Sequence, residues 1–136
     1  MALWLLKTEP SDFSYPRLVK DKRAVWNGVE NNQALIHMRN AKKGDRALIY
    51  HTGDEKAVVG LARLTSDAYP DPKDKSGKLV VFDLEPEKAL AKPVTLADVK
   101  ASDKFKTFDL VRNSRLSVMP VSDAHWKLLM KMAGEK

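Results

Sequence analysis

Residues 24–53 read AVWNGVENNQALIHMRNAKKGDRALIYHTG, and the succession of patterns inside them sets the fold. The apolar run Ala24-Val25-Trp26 reads as a short strand. Asn27 to Asn32 is polar and contains Gly28, as a loop and helix entry does, and Asn27 with Glu30 three residues on has the form of a capping box. Ala34, Leu35, Met38 and Ala41 then recur at helical spacing, which predicts a helix to about Asn40 with Gln33, His37 and Asn40 on its other side. Lys42-Lys43-Gly44-Asp45 is a turn, with Gly44 where a helix end favours a left-handed backbone. Arg46 to His51 is the next strand. A flat aromatic therefore stands beside several amide side chains, with a histidine at a strand end. Those groups suit a planar, hydrogen-bonding ligand such as a nucleobase.

Towards the N-terminus, Ala2 to Lys7 is apolar and aromatic and predicts a buried strand, which Thr8-Glu9-Pro10-Ser11-Asp12 breaks. Ser14 is a good N-cap for a short helix ending near Lys22, with Pro16 in the first turn, where its missing N–H costs nothing. Towards the C-terminus, Gly53 to Lys56 makes a hairpin-type turn and Ala57 to Thr65 a strand, inside which Gly60 marks a bulge or a close backbone approach. Tyr69 to Gly77 reads as a polar loop, Lys78 to Leu84 as a strand, and Ala89 to Val94 as a further extended piece. Thr95 with Asp98 caps a short helix, and Phe105 to Leu110 is a helical turn. Leu116 to Val121 is a late strand. Trp126, Leu129, Met130 and Ala133 give a final helix its apolar face, started by Ser122 or Asp123 and stopped by Gly134. Trp4 and Trp126 sit in apolar patterns and belong to the core. Five or six strands with short helices between them, and no βαβαβ rhythm, predict an α+β fold: a small curled sheet or barrel decorated by helices.

A chain of 136 residues with 43% hydrophobic and 31% charged residues fits one soluble domain over residues 1–136 with a proper core. No segment approaches the roughly 18 consecutive apolar residues of a membrane span, and Ala2 to Leu6 is too short for a signal peptide. The absence of cysteine removes disulfides, a thiol nucleophile and zinc–thiolate sites, and fits a cytoplasmic, bacterial-type protein. The formal charge of +6 favours polyanion partners, because neutralising phosphates releases counterions. Lys20, Lys22 and Arg23 form one basic group; Lys100, Lys104, Lys106, Arg112 and Arg115 form another. A solvated face is the plain alternative for each. His37, His51 and His125 lack metal-ligand spacing, and there is neither a G-x-S-x-G elbow nor a Gly-rich phosphate loop. No catalytic residue, metal or cofactor is therefore expected.

Several segments, taken in order, resemble one family. They are Lys7-Thr8-Glu9-Pro10-Ser11 after the first strand, Trp26-Asn27-Gly28-Val29 with Asn31 and Gln33-Ala34, and Gly44-Asp45 leading to Tyr50-His51. Gly60 within its strand, Ala68-Tyr69-Pro70-Asp71, and Arg115-Leu116-Ser117-Val118 with Pro120-Val121 complete the set. Together they cover nearly the whole chain and resemble the EVE domain. The resemblance implies a PUA-like, curled mixed β-barrel of about five or six strands flanked by short helices, related to YTH domains. It also implies a non-catalytic reader of a modified base, with modified cytosine in DNA ahead of RNA. Within the commoner family form W-D-G-V-R-N-Y-Q-A-R, this chain carries Asn27 for the acid, Glu30 for an arginine, Asn32 for the tyrosine and Leu35 for the second arginine.

On that reading, Trp26 stacks on an extruded base; the alternative is a core tryptophan that caps the barrel. Asn27, Asn32 and Gln33 offer donors and acceptors to a base edge, or else cap a helix and face solvent. Gly28 and Val29 contact the ligand from the loop, and His51 and Thr52 bind it from the strand end; the alternative for His51 is that it only satisfies backbone groups. Lys7 and Ser11, after the first strand, reach a base or phosphate, or else Ser11 stabilises the turn; Ser117 either lines the pocket or points outward on its strand. Arg112 and Arg115 contact phosphate, or else form surface salt bridges. The chain is expected to act as a monomer. An RNA-binding module, a binder of a free ligand such as a nucleoside, and a protein-interaction module stay open.

Overall fold

The computed structural model describes residues 2–135. Among these residues seven strands and five helices follow in order: β1 Leu3–Thr8, α1 Tyr15–Asp21, β2 Ala24–Trp26, α2 Asn32–Arg39, β3 Arg46–His51, β4 Ala57–Leu64, β5 Tyr69–Pro70, β6 Val80–Thr95, α3 Leu96–Lys100, α4 Asp109–Arg112, β7 Val118–Pro120 and α5 Asp123–Met132, with a 3₁₀ turn at Asp103–Phe105. Six strands run in the order β2-β6-β4-β3-β1-β7, and β5 adds to β6. Only β1 and β3 pair in parallel, Leu3 opposite Arg46 and Lys7 opposite Tyr50. This is the curled mixed sheet that the resemblance implies.

Alternation of apolar and polar residues is weak in β3, because Ala47 to His51 are all buried. The sheet curls round α2, whose Ala34, Leu35 and Met38 are wholly excluded from solvent, and α2 packs on both β7 and β6. Burying those side chains is the main reason an eight-residue helix holds, since one so short is marginal alone. Asp45 is buried in the turn before β3, but its carboxylate is satisfied. It accepts from the backbone N–H of Ala2 (3.0 Å) and Lys42 (2.9 Å) and from the Trp4 indole N–H (2.9 Å). The reading of Trp4 and Trp126 as core residues holds.

Gly60 combines both features read from the sequence. The β4 ladders slip in register around it, and a Cβ at this position would lie 2.3 Å from Cζ of Tyr15. The tyrosine hydroxyl donates to the Leu61 carbonyl at 2.7 Å, so α1 is seated on β4.

Three expectations need correction. The helix at 32–39 is capped by Asn31, whose side chain accepts from Ala34 N–H, and not by Asn27. The separate strands expected at 78–84 and 89–94 are one strand, β6, which runs through Pro86 and Pro93. Proline removes a ladder donor, and β6 tolerates this because its pairing with β4 shifts register between Leu61 and Ala62 and between Val58 and Gly60. The loop expected at Tyr69 and Pro70 pairs with Val81 and Val80 as β5. The Thr95–Asp98 capping box is present as read, and Ser122 caps α5.

Candidate nucleic-acid interface

The sheet does not close. Its edge strands β2 and β7 approach one another round the curl, and the seam between them opens into a cleft of about 620 Å³. One wall is the end of β1 with Ser117, which directly precedes β7: Lys7, Thr8 and Ser117. The other is β2 and the loop after it: Val25, Trp26, Asn27, Gly28, Val29 and Glu30. Glu9, Asp12 and Phe13 form the end.

Each wall is fixed by the chain's own hydrogen bonds. The Glu9–Phe13 turn closes because Asp12 and Phe13 N–H both donate to the Glu9 carbonyl at 2.9 Å, and the Thr8 hydroxyl donates to the Phe13 carbonyl at 2.8 Å. Lys7 N–H donates to the Ser117 carbonyl, and its ammonium donates to the Ser114 carbonyl at 3.0 Å, 5.7 Å from the centre of the Tyr50 ring. Half-burial without a carboxylate partner pulls the Lys7 ammonium below its ordinary 10.5. Gly28 has φ +78° with open space where a Cβ would be, so glycine serves the loop's backbone here and not its packing.

Trp26 is 7% exposed. It forms the inner wall and does not project as a platform. Phe13 stands edge-on to it, ring centres 6.1 Å apart at 83°. Val25 beside it is 48% exposed. Asn27, freed from capping, lines the cleft. The charge of the lining is unexpected for so basic a chain: it holds one cation, Lys7, and three carboxylates, Glu9, Asp12 and Glu30.

Of the residues singled out in the sequence, the fold brings together Lys7, Trp26, Asn27, Gly28, Val29 and Ser117. It leaves the others outside. His51 is 4% exposed, and both ring nitrogens are engaged. Nε2 accepts from Tyr15 N–H at 2.9 Å, so Nδ1 carries the proton towards Glu55 Oε1 at 2.8 Å. This histidine anchors the start of α1 and has no free atom for a ligand. Thr52 donates to Glu9 Oε2 at 3.2 Å and so steadies a cleft carboxylate from behind. Ser11 lies on the outer side of the same turn, 3.4 Å from Glu9 Oε1. Asn32 and Gln33 are exposed on the outside of α2, where Gln33 meets His37 at 3.2 Å.

Arg112 and Arg115 do not line the cleft, but the segment from Arg112 to Ser117 borders it, with Ser114 holding Lys7. Both arginines are exposed, as are Lys20, Lys22 and Arg23 just before β2. None of the five is in a salt bridge among the described residues. The acidic cleft thus has exposed, unpaired cations close in sequence to both walls, Arg23 just before Val25 and Arg115 just before Ser117. Sequence reading missed Thr8, Glu9, Asp12, Phe13, Val25 and Glu30. The available signal was Phe13, an aromatic directly before the N-cap Ser14. Among the described residues no three acidic or histidine side chains are placed to share a metal ion, and no helix is long and apolar enough to cross a membrane.

Comparison with known proteins agrees with this architecture. Human thymocyte nuclear protein 1 is 24% identical over 163 residues, which cover 95% of this chain and 72% of that protein. A solved structure from Rhodopseudomonas palustris is 45% identical with a TM-score of 0.94 and covers 98% of this chain and 94% of its own. One from Agrobacterium tumefaciens is 32% identical, TM-score 0.93, covering 99% and 94%. The human THYN1 protein in complex with 5-methylcytosine-containing DNA is 24% identical, TM-score 0.90, covering 100% and 99%. The EVE domain family matches residues 2–132, and the chain belongs to that family.

Proposed function

We propose that this chain binds DNA without chemistry and captures a modified cytosine, extruded from its strand, in the cleft between β2 and β7. The observation that carries the reading is the cleft's composition: the aromatic pair Trp26 and Phe13 lines it together with three carboxylates. Carboxylates accept hydrogen bonds, and the cytosine N4 amino group supplies them. Asn27 offers both kinds of hydrogen bond, and the Lys7 ammonium donates to the ring's acceptors. The same carboxylates repel phosphate, so the base alone enters and the backbone stays outside. There Lys20, Lys22 and Arg23 on one side, and Arg112 and Arg115 on the other, supply positive charge. Extrusion costs a few kcal/mol, least for a single-stranded or poorly stacked base. Support also comes from the related human protein, whose crystals hold 5-methylcytosine-containing DNA.

The test is a binding titration against matched oligonucleotides: unmodified, cytosine-modified and adenine-modified, single- and double-stranded, DNA and RNA. A preference for the cytosine-modified DNA is expected. Trp26→Ala should lower it by about 5- to 150-fold, the range that corresponds to about 1–3 kcal/mol of base–aromatic stacking. Because Trp26 is buried, Asn27→Ala serves as the second variant; it is exposed, leaves the fold intact, and should weaken modified and unmodified ligands unequally. Equal affinity for every oligonucleotide would overturn the reading.

A further inference from the structure

A second concavity, of about 440 Å³, lies towards the opposite end of the parallel β1/β3 pair, between α5 and the strands β3, β4 and β6. Its two carboxylates are already neutralised. Glu87 binds both Arg46 and Arg63, and Glu135 binds Lys88 at 2.7 Å while accepting from Ala91 N–H at 3.0 Å. The Arg46 guanidinium is further fixed over the Trp126 ring, 5.1 Å from its centre. What remains is Lys127 and Lys131, exposed and four residues apart on α5, so that both stand on one face of the helix. Neither is in a salt bridge among the described residues.

We infer that this second groove is a phosphodiester-backbone site, which holds nucleic acid by charge alone while the seam cleft reads a base. The kind of cation decides between this and a pocket for one phosphorylated small molecule. A compact phosphate is gripped best by the planar fork of an arginine, and the only guanidinium inside the groove, Arg46, is occupied by Glu87 and Trp126. The free charges are lysine ammoniums on flexible stems along an open groove. They suit a chain of phosphates with no fixed register. The inference rests on the nucleic-acid half of the proposed function and is independent of its base-specific half.

The experiment compares the native chain with a Lys127→Ala/Lys131→Ala variant on an unmodified single-stranded oligonucleotide across a series of salt concentrations. Alanine is a strong helix former, so α5 persists. Each phosphate contact contributes about 0.7 to the slope of log affinity against log salt for single strands, so the variant's slope should be shallower by about 1.4. A second variant, Lys73→Ala/Lys75→Ala, removes the same charge from the exposed loop before β6 and should leave the slope unchanged. An unaltered slope in the α5 variant overturns the inference, and so does an equal loss in the loop variant, which would mean that net charge alone acts. Titration with a mononucleotide should show no binding that the α5 variant removes; tight binding that the α5 variant abolishes would make the groove a small-molecule site and overturn it too. The ratio of modified to unmodified affinity should be untouched in the α5 variant. Loss of that ratio in the native chain refutes base reading only, and an unaltered slope refutes the backbone site only.

Discussion

The two concavities carry opposite charge and are held together in opposite ways. The seam cleft holds Lys7 with Glu9, Asp12 and Glu30; the α5 groove holds Arg46, Lys88, Lys127 and Lys131 with Glu87 and Glu135. The cleft's form depends on buried hydrogen bonds from behind, with His51 fixing the start of α1 and Thr52 steadying Glu9. The groove is braced by surface ion pairs, which contribute little to stability in water. A net charge of +6 therefore says little about where a ligand goes. The surface most suited to a base is acidic, and the positive charge lies beside it or at the far end.

This contrast can be broken first at its hidden support. His51→Ala should cost about 1–3 kcal/mol, measured by denaturant unfolding, because it leaves the Tyr15 N–H buried without a partner. Base selectivity should fall with it as the turn next to α1 loosens. A variant of native stability would mean that the cleft does not depend on this anchor.

Glu30→Arg addresses the charge contrast directly, since it makes the cleft resemble the groove. A third oligonucleotide property then becomes informative. Affinity for unmodified strands should rise and the salt slope steepen by about 0.7 as one more phosphate is held, while the preference for the modified base shrinks. A salt slope equal to the native chain's would show that Glu30 does not face the ligand.

The smallest expected effect concerns pH and separates Lys7 from the lysines of α5. Burial holds the Lys7 ammonium below 10.5, so it loses its proton before an ordinary lysine does. Base capture should decline as pH rises through that lowered value, and Lys7→Met should flatten the decline. Stability runs the other way. The unfolded chain keeps this proton more tightly, so Lys7's contribution rises as pH climbs from the folded value towards 10.5 and is lost again as pH falls. A binding profile with no step below 10.5 would remove Lys7 from the site.

Much of the scaffold was legible because local chemistry decided it. Arg46 to His51 is a strand as read, Ser14 starts α1, and Thr95 with Asp98 caps α3. Failures came where a distant partner overruled the local signal. The strand read as ending at Leu84 and the extended piece read from Ala89 are one strand through Pro86, because the register shifts of β4 absorb the missing donor, and nothing in residues 85–88 announces that. Asn27 and Asn31 are both asparagines before a helix, and the choice fell to Asn31 because α2 must present Ala34, Leu35 and Met38 to the core. The site followed the same rule. Trp26 and Ser117 are far apart in sequence and meet only because the sheet curls. His51 ends its strand in register with Thr8, next to the cleft, and still turns its ring towards α1. Strand-end position alone does not say which way a side chain faces.

Leaving a barrel open has a price beyond lost hydrogen bonds. Two unpaired strand edges invite other chains to add on, the route by which sheet proteins template aggregates. Here both edges are three residues long, and β7 ends in Pro120, which has no N–H to offer an incoming strand. Short length at both edges and a missing donor at Pro120 each limit strand addition along the seam.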